Sequence, residues 1–181
     1  MIQGSCFSLR HMRISEVPRF VELINHPDAK GDFLSLEMML QGVAEKQIED
    51  ESHSKENRET FLIIDENDVM IGRIFHFKTI PYFNGREIGF GLFGQEFRGK
   101  GMMSEAVQLL SDYLFKTSLI NRLAIHMNVD NIASEKVAIN CGFRKEGIAR
   151  GASFNRGKHV DIAMYALLRE EWELLSKSIK S

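Results

Sequence analysis

From Gly101 onward the apolar residues Met103, Ala106, Val107, Leu110 and Leu114 recur at three- and four-residue steps, the stripe of a helix that faces a core. The segment before it keeps a different period. Residues 86–93 alternate, with Ile88, Phe90 and Leu92 on one side and Glu87, Gly89, Gly91 and Phe93 on the other, so a strand with one nearly bare side feeds that helix. Alternation returns at Leu123, Ile125, Met127 and Val129, a second strand. Asn131 is then placed to cap a helix with the inner stripe Ala133, Ser134, Val137, Ala138 and Cys141, stopped by Gly142.

The flanks are less regular. Residues 7–12 alternate weakly and predict a first strand, and Ser15 is placed to cap a helix over 16–25 that His26-Pro27 ends. Residues 34–47 carry Leu36, Met39, Leu40 and Val43 at helical spacing, whereas 49–59 are almost wholly polar and predict a solvated helix end or a loop. The β-rich runs 60–64 and 69–77 flank Asp65-Glu66-Asn67-Asp68 and predict an antiparallel hairpin, with a further turn over 81–85. The tail predicts strands over 144–154 and 159–167 around a turn at 155–158, then a short helix about Trp172. These elements amount to an α+β fold, a mainly antiparallel sheet with helices packed on it.

At 181 residues and 44% hydrophobic content the chain can bury one substantial core and is short for two, so a single domain over 1–181 is expected. A formal net charge of −2 without long single-sign blocks gives no reason to expect nucleic acid or membrane as partners. No run approaches the roughly 18 apolar residues of a membrane span, and nothing near the N-terminus marks the chain for export. Cys6 and Cys141 stand far apart in no metal-ligand spacing, which fits a reducing cytoplasm and no metal.

The candidate chemistry begins where strand meets helix, at Gln95-Glu96-Phe97-Arg98-Gly99-Lys100-Gly101. A helix start offers unpaired N–H groups and a positive dipole end, and glycines let an anion approach the backbone, so phosphate is the natural ligand. Arg98 and Lys100 either add charge or point to solvent, and an ordinary structural turn is the competing reading. Gly94-x-x-x-x-Gly99-Lys100 also matches most of a P-loop. Gly101, however, stands where that motif needs the Ser or Thr that holds Mg²⁺, and the only Walker-B-like run, 61–65, precedes the loop. A nucleoside-triphosphate hydrolase is set aside on these grounds.

Asn131-Ile132-Ala133-Ser134, followed by Gly142-Phe143-Arg144-Lys145-Glu146-Gly147, supplies what the turn lacks. Together with residues 98–106 these motifs resemble the acetyl-CoA motifs of the GNAT superfamily of N-acetyltransferases, in the style of its Rim-type, ribosomal-protein N-terminal branch. The resemblance covers most of the chain and takes in Glu87-Ile88-Gly89 and residues 161–168. It implies six to seven strands splayed between 86–93 and 122–129, helices on both faces, and the pantetheine arm of acetyl-CoA in the gap. It further implies pyrophosphate on the backbone amides of Arg98, Gly99, Lys100, Gly101, Met102, Met103 and Ser104. Main-chain groups of Leu92 and Phe93 would pair with the pantetheine amides, and Asn131 would hydrogen-bond to the arm. Relatives of this kind often pair through their C-terminal strands, so a homodimer is one assembly the resemblance allows, with the oligomeric state left open.

Two departures bear on catalysis. Met103 stands where the family's turn has Gly or Ala, and Ala138 stands where many relatives have a tyrosine that protonates the leaving thiolate. Ser134 is the substitute acid, as the one polar residue on its helix stripe, unless its hydroxyl bonds back to a helical carbonyl. A cationic amine must lose a proton before it attacks a thioester. Glu87, which shares a strand face with Gly89 and Gly91, is the candidate base, with His76, His126 and His159 as alternatives and Asp161 as a turn or sheet residue. Cys141 reads as core and not as a nucleophile. The expected activity is direct acetyl transfer from acetyl-CoA to a primary amine, whether a peptide or protein N-terminus or a small molecule. A degenerate acyl-CoA sensor is the alternative.

Overall fold

The computed structural model describes residues 1–54, 57–78, 80 and 82–178; Pro81, at the head of the turn predicted over 81–85, lies outside them. The strands are β1 (Ile2–Gln3), β2 (Phe7–Arg10), β3 (Arg58–Asp65), β4 (Met70–Phe77), β5 (Gly85–Leu92), β6 (Arg122–Asn128), β7 (Arg144–Asn155) and β8 (Lys158–Leu168). The helices are α1 (Val17–Asn25), α2 (Pro27–Lys30), α3 (Gln41–His53), α4 (Met102–Thr117), α5 (Ile132–Asn140) and α6 (Arg169–Ser178). The described strands form one sheet in the order β1-β2-β3-β4-β5-β6-β8-β7, antiparallel except between β5 and β6. The strand beyond the expected six to seven is the two-residue β1.

Alternation along β3 divides the core. Phe61 and Ile63 face α4, α5 and α6 in one apolar cluster, and Leu62 and Ile64 face α1, α2 and α3 in the other. The predicted stripe of α4 is buried throughout, from Met103 to Leu114. Arg169 fixes the far end of α4, because its guanidinium donates to the carbonyls of Phe115 (2.9 Å), Ser118 (2.6 Å) and Ile120 (2.9 Å), groups that the helix and the loop after it leave unpaired. Among the described residues no helix is long and apolar enough to cross a membrane.

Two local readings are corrected. Ser15 does not cap α1: residues 14–16 form a 3₁₀ turn, and the Glu16 carboxylate takes the Arg13 amide (2.8 Å) and the Arg10 guanidinium (2.7 Å). The apolar spacing over 34–47 does not mark a buried helical face. Asn25 pairs by its side-chain amide with both main-chain groups of Met39 (2.8 and 2.9 Å), so the chain is non-helical up to Leu40 and α3 starts at Gln41. Leu36, Leu40 and Val43 are consequently exposed, and α3 runs through the polar stretch to His53.

A buried polar group lies within the β3–β4 ladder. Glu59 accepts from His76 (3.1 Å) and pairs with His11 (2.8 Å), and both Glu59 and His76 are 3% exposed. Removing one partner of a buried pair strands the other, so Glu59→Ala is expected to cost about 3 kcal/mol. Urea denaturation would measure this, and a loss near zero would mean that the trio contributes nothing net.

Candidate active site

β5 and β6 bond over three pairs only, Gly85↔Arg122, Arg86↔Leu123 and Glu87↔Ala124. Beyond Glu87 the strands part, since β5 stays with β4 as far as Leu92 and β6 stays with β8 as far as Asn128. The V that opens is a cleft of about 1070 Å³, walled by residues 88–92 and 125–128 and by the starts of α4 and α5. Strand edges that face each other without pairing leave N–H and C=O groups free for an extended ligand.

The two predicted pantetheine contacts on β5 are not equivalent. The Phe93 N–H donates to the Ile71 carbonyl at 3.0 Å, and the ring is buried against Phe20. Ladder bonds alternate along a strand, so Leu92, which lies opposite Gly72, turns its main-chain groups away from β4 and into the gap. The Phe93 N–H is therefore taken up within the sheet, whereas the main-chain groups of Leu92 face the gap.

The turn before α4 fits a phosphate. Gly99 and Gly101 have φ of +73° and +77°, and a Cβ at either would meet nothing within 4 Å, so an anion has open access to that backbone. The helical ladder begins with Glu105 N–H to Gly101 C=O (3.1 Å), which leaves the N–H groups of Met102, Met103 and Ser104 ahead of it. Met103 does not crowd the turn, because its side chain is buried in the core cluster of α4. Arg98 is committed elsewhere: its guanidinium donates to the Asp28 carbonyl, and Gln95 donates to the Asp28 carboxylate at 2.8 Å, which ties the turn to α2. Lys100 is exposed beside it and lines the cleft.

Across the gap, Asn131 caps α5, its Oδ1 accepting from Ser134 N–H at 3.1 Å. Ser134 is half-buried on the cleft wall. Ser52, Thr117 and Ser118 each donate to a carbonyl of their own helix; among the described residues Ser134 has no such bond, so its hydroxyl is available to a ligand. Ala138 is fully buried, so the position where relatives carry tyrosine faces the core in this chain. The Tyr165 phenol is engaged with Glu135 (2.5 Å), and that bond, with burial second, pushes its pKa up to about 12. Cys141 is buried, its thiol raised to about 12 by burial and bonded to the Ser104 carbonyl at 3.2 Å, which suits core and not a nucleophile.

Glu87 sits at the apex of the V, with His126 against it: Nδ1 lies 3.0 Å from Glu87 Oε2. His126 lines the cleft, and its neighbours Leu123, Ile125 and Met127 point to the core on the opposite face. The other histidines are committed, His76 to Glu59 and His159 to an edge contact with Phe154. Asp161 holds the Gly151 amide (2.8 Å) at an irregularity between β7 and β8. The bare side of β5 proves only half bare. A Cβ on Gly89 would strike the Phe75 ring at 2.3 Å, whereas one on Gly91 would meet nothing. No group of three or more metal-ligating side chains occurs among the described residues.

Comparison with known proteins agrees with this geometry. The model of the family described as an acetyltransferase (GNAT) domain matches residues 7–144. The chain is similar to the uncharacterized N-acetyltransferase p20 of Bacillus licheniformis, 38% identical over 112 residues, 61% of this chain and 62% of that one. It is also similar to the ribosomal-protein-serine acetyltransferase of Escherichia coli (strain K12), 32% identical over 114 residues, 63% of each. The matched stretch thus spans about three fifths of these relatives. Among solved structures, the ribosomal alpha-N-protein acetyltransferase RimL in complex with coenzyme A superimposes with a TM-score of 0.83 at 26% identity, covering 94% of this chain and 98% of that one.

Proposed function

Because the chain belongs to the GNAT acetyltransferase family, we propose that it transfers the acetyl group of acetyl-CoA to a primary amine, and that this amine is the N-terminus of a peptide or protein. The observation that carries the proposal is the parting of β5 and β6, with an open glycine turn at the α4 end of the gap and the Glu87–His126 pair at its apex. The relatives whose names specify ribosomal-protein acetylation support the acceptor.

Acetyl-CoA supplies the thioester; the protein supplies position and proton traffic. With its Nδ1–H donating to Glu87, His126 presents Nε2 as an acceptor that takes a proton from the ammonium form of the substrate. The freed amine forms the C–N bond as the C–S bond breaks, and the second proton, shed by the new amide nitrogen, passes by way of the Ser134 hydroxyl to the departing sulfur, while His126 returns its proton to water. Leu92 orients the arm through its backbone. The products are the acetylated amine and coenzyme A, with no acyl-enzyme stage. Free Cys6 and Cys141 accord with a cytoplasmic setting, and a homodimer through the C-terminal strands would use β7, the sheet edge at that end.

Calorimetry with acetyl-CoA, followed by thiol release on peptides with free or blocked N-termini, tests this reading. Binding with release that needs the free N-terminus is expected. Binding without release from any amine would leave a sensor, and release only from small amines would remove the peptide acceptor. In the same assay Ser134→Ala is expected to slow turnover about tenfold with unchanged acetyl-CoA affinity; equal turnover would take Ser134 out of the mechanism.

A further inference from the structure

Among the described residues, Arg73 on β4 is a cation without a counter-ion. It lies on the cleft wall opposite Gly91, and among the described residues it makes no ion pair and no hydrogen bond. Its guanidinium carbon instead stacks 5.0 Å from the Phe75 ring centroid and 5.8 Å from that of Phe20. The neighbouring cation differs, since Arg58 stacks on the same Phe75 ring at 4.0 Å but has Glu51 at 3.5 Å. Asp32, the one carboxylate on the cleft wall among the described residues, does not pair with Arg73. Burial, and then the charge of Arg58, lower the Arg73 pKa to about 10, which leaves it cationic at neutral pH. A partly desolvated guanidinium with unused donors facing open space is a site for an anion.

Arg73 shares the cleft with the glycine turn but projects from the face of the sheet opposite to α4. Ile74 and Ile88 pack with α4, the helix whose start forms the glycine turn, while Arg73 and Phe75 alternate to the other face, where Phe20 of α1 lies. Glu87 and His126 are on that second face as well. Extending the β5–β6 register by two residues sets Gly89 opposite His126, and Gly89 pairs with Phe75 on the far side. His126, Gly89 and Phe75 therefore follow one another across the sheet, and Arg73 flanks the ring. At about 4.8 Å for the paired β4–β5 spacing and more than that across the parted β5–β6 gap, base and guanidinium are somewhat more than about 10 Å apart. That span accommodates an amine on His126 and an anion on Arg73 when the two are a few bonds apart. Gly91, with nothing within 4 Å of its Cβ direction, leaves the room.

We propose that Arg73 is a specificity residue which binds a carboxylate of the acceptor, so that the preferred substrates are amines carrying an acidic group close by; this rests on the acetyltransferase reading above. A polyamine is the opposite case, since its further ammonium groups would meet Arg73 unscreened.

The test is steady-state thiol release on matched peptides with N-terminal serine and Asp, Asn or Lys next in sequence, beside free aspartate and spermidine. Wild type is expected to prefer the Asp peptide over the Asn peptide by about ten- to a hundredfold in kcat/KM, through KM. Arg73→Gln should bring the Asp peptide down to the Asn level and Arg73→Lys should retain part of the preference, with acetyl-CoA affinity unchanged in both as a check of folding. A preference shared by free aspartate locates the carboxylate anywhere near the amine; one confined to peptides locates it on an acidic side chain. Equal rates for Asp and Asn peptides, or an equal loss on both in Arg73→Gln, would overturn the anion site while the transferase stands. No release from any amine would overturn both.

Discussion

Replacing His126 by glutamine is expected to lower kcat/KM by about 10²–10³-fold with acetyl-CoA affinity unchanged, the range for loss of a positioned general base. Glutamine keeps a hydrogen-bonding side chain at the apex of the V and has no nitrogen that can accept a proton. Glu87→Gln is expected to cost less, about tenfold, because the carboxylate acts through the imidazole, fixing its tautomer at 3.0 Å and stabilising the cation that forms. The order of the two effects is the informative quantity. Should Glu87→Gln be the more damaging while His126→Gln keeps most activity, the carboxylate itself meets the amine and the imidazole is its neighbour. Loss of acetyl-CoA binding in either variant would instead point to a disturbed sheet, since Glu87 stands at the last β5–β6 pair.

Glu87 could be named from the sequence because it shares a strand face with two glycines, but its partner could not. His126 lies 39 positions later, on the strand that pairs with β5 in parallel, and one residue more or less in either strand would send one side chain to the opposite face. Gly89 shows the converse limit. A strand glycine signals close approach, and the approaching group is the Phe75 ring of the same sheet, not a ligand. Arg73 falls in a predicted strand and Arg58 in the polar stretch before one, yet both lie on paired strands; what separates them is Glu51, carried on a helix whose register the sequence obscured. Met103 was legible as core because its stripe is long and regular, whereas Leu36, Leu40 and Val43 have the same spacing without burial. Periodicity states which residues share a side; the Asn25 bonds to Met39 decide whether the segment is a helix at all.

Gly101→Val carries the second large effect, on cosubstrate affinity. At φ +77° a β-branched residue is strained, which is expected to cost the free protein about 1–3 kcal/mol. No protein atom lies within 4 Å of the added Cβ, so nothing else in the fold has to shift. The ligand has no such latitude, because the pyrophosphate oxygens must come within hydrogen-bond distance of the amides of Met102, Met103 and Ser104, and a branched side chain at the helix cap occupies that approach. Losing two such charge-assisted bonds, at about 1.5–3 kcal/mol each, corresponds to a fall in acetyl-CoA affinity of at least a hundredfold. Calorimetric titration of a variant whose melting transition is still cooperative separates the two effects. A Kd that rises a hundredfold in a folded protein puts the pyrophosphate on this turn, and an unchanged Kd puts it elsewhere in the cleft, leaving Gly99 and Gly101 as the hinge that turns β5 into α4.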